Sequence, residues 1–188
     1  MSFRRFCAIF LCVASFALSA TTDKTPRPSP DFAISLNNGS QIHLSQYPGK
    51  VVVLVFILTY CPHCQFTAQT LSKLQQEYGP RGFQVLGSAI EDMAAMAVPD
   101  FIKKFQPAYP VGFNARNAVL DYLQHPAIFR LLMPQVVVID RKGIIREQLS
   151  GDNKFFDRAD QEKNFRDLLE PLLKEGTAQT AHRKKPAR

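Results

Sequence analysis

Apolar residues alternate with polar ones at Phe32, Ile34 and Leu36, and again at Ile42 and Leu44, with Asn38-Gly39 between the two runs. That pattern predicts a β-hairpin, because Asn-Gly readily adopts the backbone of a tight two-strand turn. Pro48-Gly49 marks a turn, and Val51 to Leu58 (VVVLVFIL) then runs apolar and β-branched without a break. Its length and composition predict a central strand buried on both faces. The next segment predicts a helix to about Tyr78, with Cys64, Ala68, Leu71, Leu74 and Tyr78 along one side and Gly79-Pro80 as its stop. Phe83 to Ala89 reads as the following strand. A second helix is expected around Phe101, Ile102 and Phe105 with Pro99 near its start, until Pro107 and Pro110 break the chain. Val111 to Phe113 reads as a short extended piece, Val119 to Leu123 as a short helix and Val136 to Ile139 as another buried strand. Arg141-Lys142-Gly143 turns the chain into Ile144 to Leu149. A last helix is predicted from about Asp157 to Lys174, with Phe165, Leu168, Leu169, Leu172 and Leu173 as its apolar face. Strands alternating with helices and ending in a hairpin and a helix predict a three-layer α/β domain over residues 31–175. Its mixed central sheet is flanked by helices and carries an N-terminal β-hairpin extension.

The ends of the chain change the meaning of its composition. The 188 residues carry a net charge of +7 and four cysteines, which taken whole would hint at an acidic partner. Arg4 and Arg5 precede an uncharged apolar run from Phe6 to Ala20 that closes on small residues. Residues 1–20 thus have the layout of a secretory signal peptide, with an uncleaved N-terminal membrane anchor over residues 6–20 as the alternative. Residues 21–30 (TTDKTPRPSP) read as a Pro-rich linker. Residues 176–188 read as a basic disordered tail, with Arg183, Lys184, Lys185 and Arg188 and no acid after Glu175. The folded region 21–176 keeps 17 basic and 16 acidic residues. This near-balance gives no support to a nucleic-acid partner. Cys7 and Cys12 fall in the signal segment, which leaves Cys61 and Cys64.

These two stand in Cys61-Pro62-His63-Cys64, where the predicted central strand runs into the predicted helix. On a first helical turn this spacing brings both side chains to one end of the helix, and Pro62 suits the first helical position. The positive end of a helix favours thiolate over thiol, and thiolate is the reacting species. Cys61 at the mouth is therefore expected to be the nucleophile and Cys64, one turn in, the resolving cysteine. A protonated His63 would add to the stabilisation of the Cys61 thiolate. Three other readings exist. A static disulfide would constrain the unfolded chain little across so short a loop. A structural zinc site lacks a second ligand pair, since His43, His125 and His182 are scattered. A Cu(I) site on the two thiolates is chemically reasonable, with His125 as a speculative third ligand. Redox catalysis is the leading reading because CxxC occurs here between a buried strand and an amphipathic helix.

With these motifs in view the sequence resembles the thioredoxin-like superfamily, in particular the exported thiol-disulfide oxidoreductases of the TlpA/ResA and redoxin type. The resemblance rests on DFAISLNNGSQIHLSQYPGKVVVLVFILTYCPHC, QEYGPRGFQVLGSAIED and MPQVVVIDRKGIIRE, and covers about residues 30–175. It implies a thioredoxin-like fold and a redox-active Cys61–Cys64 disulfide. Pro134 would be a cis proline facing that pair, with Met133, Pro134 and Tyr60 beside the substrate chain. Protein thiols or disulfides and a redox-partner protein are the implied partners, with no cofactor and no resident metal. Two departures stand out. The buried acid that many thioredoxins carry six residues before the first Cys is Val55 here, and Tyr60 stands where Trp is usual. Glu91 or Asp92 is then the candidate for proton transfer at Cys64. The Pro and Thr/Ser that precede a peroxidase's reactive Cys are replaced by Leu54 and Leu58 before Cys61, which argues against peroxidase chemistry. The Pro62-His63 pair resembles disulfide-forming enzymes, while the rest of the chain resembles the reductase branch. The expectation is an extracytoplasmic, periplasmic oxidoreductase whose direction is set by its partner, reductase slightly favoured.

Overall fold

Seven consecutive apolar side chains leave the strand Val51–Ile57 (β4) no polar face, and all seven are buried. A computed structural model describes residues 25–183, with side chains to residue 175, and places β4 in the interior of one mixed sheet. Its other strands are Arg27–Pro28 (β1), Ala33–Ser35 (β2), Gln41–His43 (β3), Phe83–Ala89 (β5), Val111–Phe113 (β6), Gln135–Ile139 (β7) and Ile144–Ser150 (β8). The helices are Pro62–Tyr78 (α1), Ala94–Phe105 (α2), Arg116–Leu123 (α3) and Gln161–Arg183 (α4). The sheet order is β1-β8-β7-β4-β5-β6-β2-β3, with β4, β5 and β6 parallel and β7 and β8 antiparallel.

Because side chains alternate along a strand, β4 feeds two cores. Val51, Val53, Val55 and Ile57 pack with the apolar residues of α1, α2 and α4. Val52, Leu54 and Phe56 pack with Phe32, Val119, Tyr122 and Leu123 on the α3 side. The three-layer α/β expectation holds, with a curled central sheet flanked by helices.

The expected hairpin forms as β2 and β3 and extends the sheet beyond β6. Gly112 of β6 is required there, since a Cβ would lie 2.2 Å from the Ser35 carbonyl oxygen. The Asn114 side chain also ties in this edge, accepting from the buried Ser88 hydroxyl and donating to the Ala33 carbonyl.

Three segments differ from the sequence reading. The stretch read as linker is docked from Arg27, which pairs with Ile145 as β1 while its guanidinium donates to the Tyr122 carbonyl and Gln148 Oε1. Pro28 is tolerated because β1 is an edge strand. Second, α2 begins at Ala94, so Pro99 is interior to it. Proline cannot donate to the carbonyl one turn back, and that carbonyl, on Ala95, instead accepts from Asn37 Nδ2. Third, α4 continues past Lys174 to Arg183. Extending an anchored helix needs no new nucleus, and Ala178, Gln179 and Ala181 are adequate helix formers without an apolar stripe. The signal-peptide segment and the last five residues of the basic tail lie outside the described residues. No helix among the described residues is long and apolar enough to cross a membrane.

Candidate active site

The chain leaves β4 at Leu58 and enters α1 through Thr59-Tyr60-Cys61. Cys61 is the N-cap of α1, with extended backbone (φ −79°, ψ 121°), and Pro62 follows at the head of the helix. The Cys61 N–H donates to the Leu58 carbonyl and its own carbonyl accepts from the Gln65 N–H, which fixes the turn. Cys61 is half-buried, whereas Cys64 is fully buried. The two sulfurs lie close together, both as thiols. Tyr60 stands out from the turn with 67% of its surface exposed, and His63 is exposed beside it.

Burial raises the Cys64 thiol far above the ordinary thiol range, because the interior penalises the thiolate. The Leu58 N–H, 3.5 Å from Cys64 Sγ, works against this, while the neighbouring Cys61 and Glu91 add to it. A stability prediction follows. Above about pH 8.5 an unfolded thiol loses its proton, but Cys64 in the fold keeps it. The folded state then binds more protons than the unfolded one, so stability falls as pH rises. A Cys61→Ser chain, which cannot form the disulfide, should lose up to about 1.4 kcal/mol per pH unit above that point. The loss is measured relative to Cys61→Ser/Cys64→Ala in urea melts. Parallel curves for the two variants would refute it.

Pro134 heads β7, and the Met133–Pro134 peptide is cis. Phe56 pairs with Gln135 across β4 and β7, so the register sets Pro134 beside Ile57, next to the Cys-Pro-His-Cys turn. Met133 packs against both cores. Gln135 Nε2 donates to the Leu132 carbonyl and to Ser150 Oγ. The sheet thus brings Tyr60, Cys61, Pro62, His63, Cys64, Met133 and Pro134 to one end. Val55, where the usual acid is missing, is a wholly buried core residue.

Several site residues carry no motif. Thr59 is clamped from both sides. Its N–H (3.0 Å) and its hydroxyl both donate to Glu91 Oε1, and its carbonyl accepts from Gln65 Nε2 at 2.8 Å. Gly151 lies against Met133, where a Cβ would meet the Met133 carbonyl oxygen at 2.2 Å. His125 is at the end of α3, its N–H bonded to the Leu120 carbonyl. Among the described residues no three His, Cys, Asp or Glu side chains are grouped as a metal site. A cavity of about 410 Å³ lies at the opposite end of β4, lined by Tyr47, Lys50, Asp140 and Arg141 among others, away from the cysteines.

A CxxC pair on the first turn of a helix leaving a buried strand, beside a proline-headed antiparallel strand, defines a thioredoxin-like thiol-disulfide oxidoreductase. The chain belongs to the Redoxin family, whose profile matches residues 24–165. Among curated relatives, it is 24% identical over 127 residues to the thiol-disulfide oxidoreductase ResA of Bacillus anthracis, covering 67% of this chain and 69% of that one. It is 26% identical over 124 residues to ResA of Geobacillus kaustophilus, covering 65% and 67%. Solved structures share the fold. One is a thiol:disulfide interchange protein of the thioredoxin family from Chlorobium tepidum TLS, with TM-score 0.64, 22% identity and coverage of 81% of this chain and 99% of that one. Another is a secreted disulfide oxidoreductase from Mycobacterium tuberculosis, with TM-score 0.56, 17% identity and coverage of 71% and 92%.

Proposed function

We propose that Cys61 and Cys64 are the redox pair of an exported enzyme that exchanges two electrons with client proteins, with reduction of client disulfides as the favoured direction. The supporting observation is their asymmetry. Cys61 is half-buried on the helix N-cap, while Cys64 is fully buried behind it with its proton retained. An accessible thiolate opens the client disulfide, and the sheltered thiol then closes on it. His63, exposed on the same turn, favours the Cys61 thiolate when protonated. The client backbone pairs beside Met133 and Pro134, with Tyr60 against its side chains. The basic start and apolar run of residues 1–20 support export, to a bacterial periplasm, with retention as an anchor the other outcome of that segment.

The test is turnover. The purified protein should accelerate reduction of insulin disulfides by dithiothreitol well beyond the uncatalysed rate. It should also show a reversible two-electron potential whose value sets the direction. No acceleration, together with stoichiometric Cu(I) held against a chelator by the reduced form, would replace this reading with copper handling.

A further inference from the structure

We propose that Glu91 is the group that exchanges a proton with Cys64 as the Cys61–Cys64 disulfide closes and opens. The proposal rests on the redox-pair reading above and names its acid–base residue.

Cys64 is fully buried, so solvent does not reach its sulfur directly. Its thiol must nevertheless lose a proton before it can attack, since the thiolate is the nucleophile. Val55, on the face of β4 that packs against α1, is apolar, Thr67, one turn beyond Cys64, accepts from Gln161 with its hydroxyl oxygen, and the imidazole of the adjacent His63 is turned out to solvent. Glu91 lies just past the end of β5, where the Ile90 N–H bonds to the Ile57 carbonyl and draws this loop against the end of β4. Leu58 and Thr59 are consecutive. The N–H of the first bonds to Cys64 Sγ and that of the second to Glu91 Oε1, so thiol and carboxylate hang from adjacent peptide units. The two groups also feel each other's charge. Glu91 Oε1 is occupied by Thr59, whereas Oε2 is buried without a hydrogen-bond partner. A buried acceptor left unpaired is costly, and here it leaves a site for one proton. Asp92 and Arg116 are the other ionisable groups along the open cleft beside Glu91.

In the resolving step Cys61 is bonded to a client sulfur. Glu91 Oε2 takes the Cys64 proton, and the Cys64 thiolate attacks Cys61 Sγ. The Cys61–Cys64 bond forms as the Cys61–client bond breaks. The electron pair leaves on the client sulfur, which is protonated from solvent. The two enzyme thiols have been oxidised and the client disulfide reduced. In the reverse direction the protonated carboxyl returns its proton to Cys64.

Reduced full-length protein mixed with Ellman's disulfide separates the steps. The first thiolate released reports attack by Cys61, and the second reports resolution by Cys64. Glu91→Gln keeps an oxygen to hold Thr59 but cannot take the proton. It should leave the first phase unchanged and slow the second on the order of 100-fold at neutral pH. The lost rate should return as alkali deprotonates Cys64, and Glu91→Asp should recover most of it. Asp92→Asn, which removes the neighbouring acid and leaves Glu91 on Thr59, should stay within a few-fold of wild type. A wild-type second phase in Glu91→Gln overturns the proposal, and so does an Asp92→Asn chain as slow as Glu91→Gln. Should Glu91→Gln fail to fold, the wild-type profile decides. A second phase flat through neutral pH supports the proposal, and one that climbs steadily through the thiol range overturns it. Absence of any first phase in wild type would instead sink the redox-pair reading, and this proposal with it.

Discussion

Cys61→Ser should lower insulin-disulfide turnover to the uncatalysed background, and Cys64→Ser should stop the reaction at a covalent complex. The two outcomes differ because the two sulfurs are differently placed. Cys61, half-buried on the N-cap of α1, is the sulfur a client disulfide can reach. A serine hydroxyl there is not ionised at neutral pH and cannot replace it as attacking group. Cys64 is sealed under the turn, with its sulfur on the Leu58 N–H. Removing it leaves the first attack intact and deletes the group that releases the client. The client should then appear on a non-reducing gel as an adduct that dithiothreitol dissolves. Turnover at wild-type level in Cys61→Ser would overturn the assignment of the nucleophile. A Cys64→Ser chain that releases its client as fast as wild type would overturn that of the resolving cysteine.

Much of this site could be read from the sequence because its signals are local. A short apolar run rich in β-branched residues and bounded by turn signals fits a strand covered on both faces, and β4 is one. Pro62 at the start of α1 and Gly79-Pro80 at its end act on their own neighbourhoods, and the helix spans the residues between them. What escaped was settled by partners distant in sequence. Arg27-Pro28 becomes a strand because Tyr122 and Gln148 receive the guanidinium. Pro99 is accommodated inside α2 because Asn37, far upstream, satisfies the carbonyl it orphans. Glu91 could be named from the sequence only together with Asp92. The fold separates them by setting a Glu91 oxygen on Thr59. Among the described residues α3 is the α-helix on its side of the sheet, and Phe32, Leu44, Tyr47 and Leu131 from the segments between elements complete the cover there. Isolated apolar residues of that kind show no periodicity to read.

Gly151 is the clearest residue of this second kind, and its substitution carries the other large effect. In the sequence it is an ordinary turn glycine after β8. In the fold its N–H donates to the Leu132 carbonyl at 3.2 Å, and its α-carbon faces the Met133–Pro134 peptide. A Cβ at residue 151 would lie 2.2 Å from the Met133 carbonyl oxygen, 2.3 Å from its carbon and 2.9 Å from the Pro134 nitrogen. All three are backbone atoms, so no side-chain rotation relieves the clash and one of the two chains must move. Overpacking of this kind costs roughly 1–3 kcal/mol, which for a chain of this size lowers Tm by about 2–4 °C per kcal/mol. The segment that moves is the one proposed to pair with the client. Each backbone hydrogen bond lost there is worth roughly 0.5–1.5 kcal/mol, and 1.4 kcal/mol corresponds to about tenfold in rate. Gly151→Ala should therefore cut insulin turnover by about tenfold or more, on top of its lower Tm. Attack of Cys61 on Ellman's disulfide should stay near the wild-type rate, because α1 and its N-cap are untouched. Gly39 tests the specificity of the effect. It has a positive φ of 82° but nothing within 4 Å of a Cβ, so Gly39→Asn, which tolerates that backbone, should leave turnover unchanged. Were Gly151→Ala to reduce insulin as fast as wild type, the Met133–Pro134 backbone would not be where the client binds.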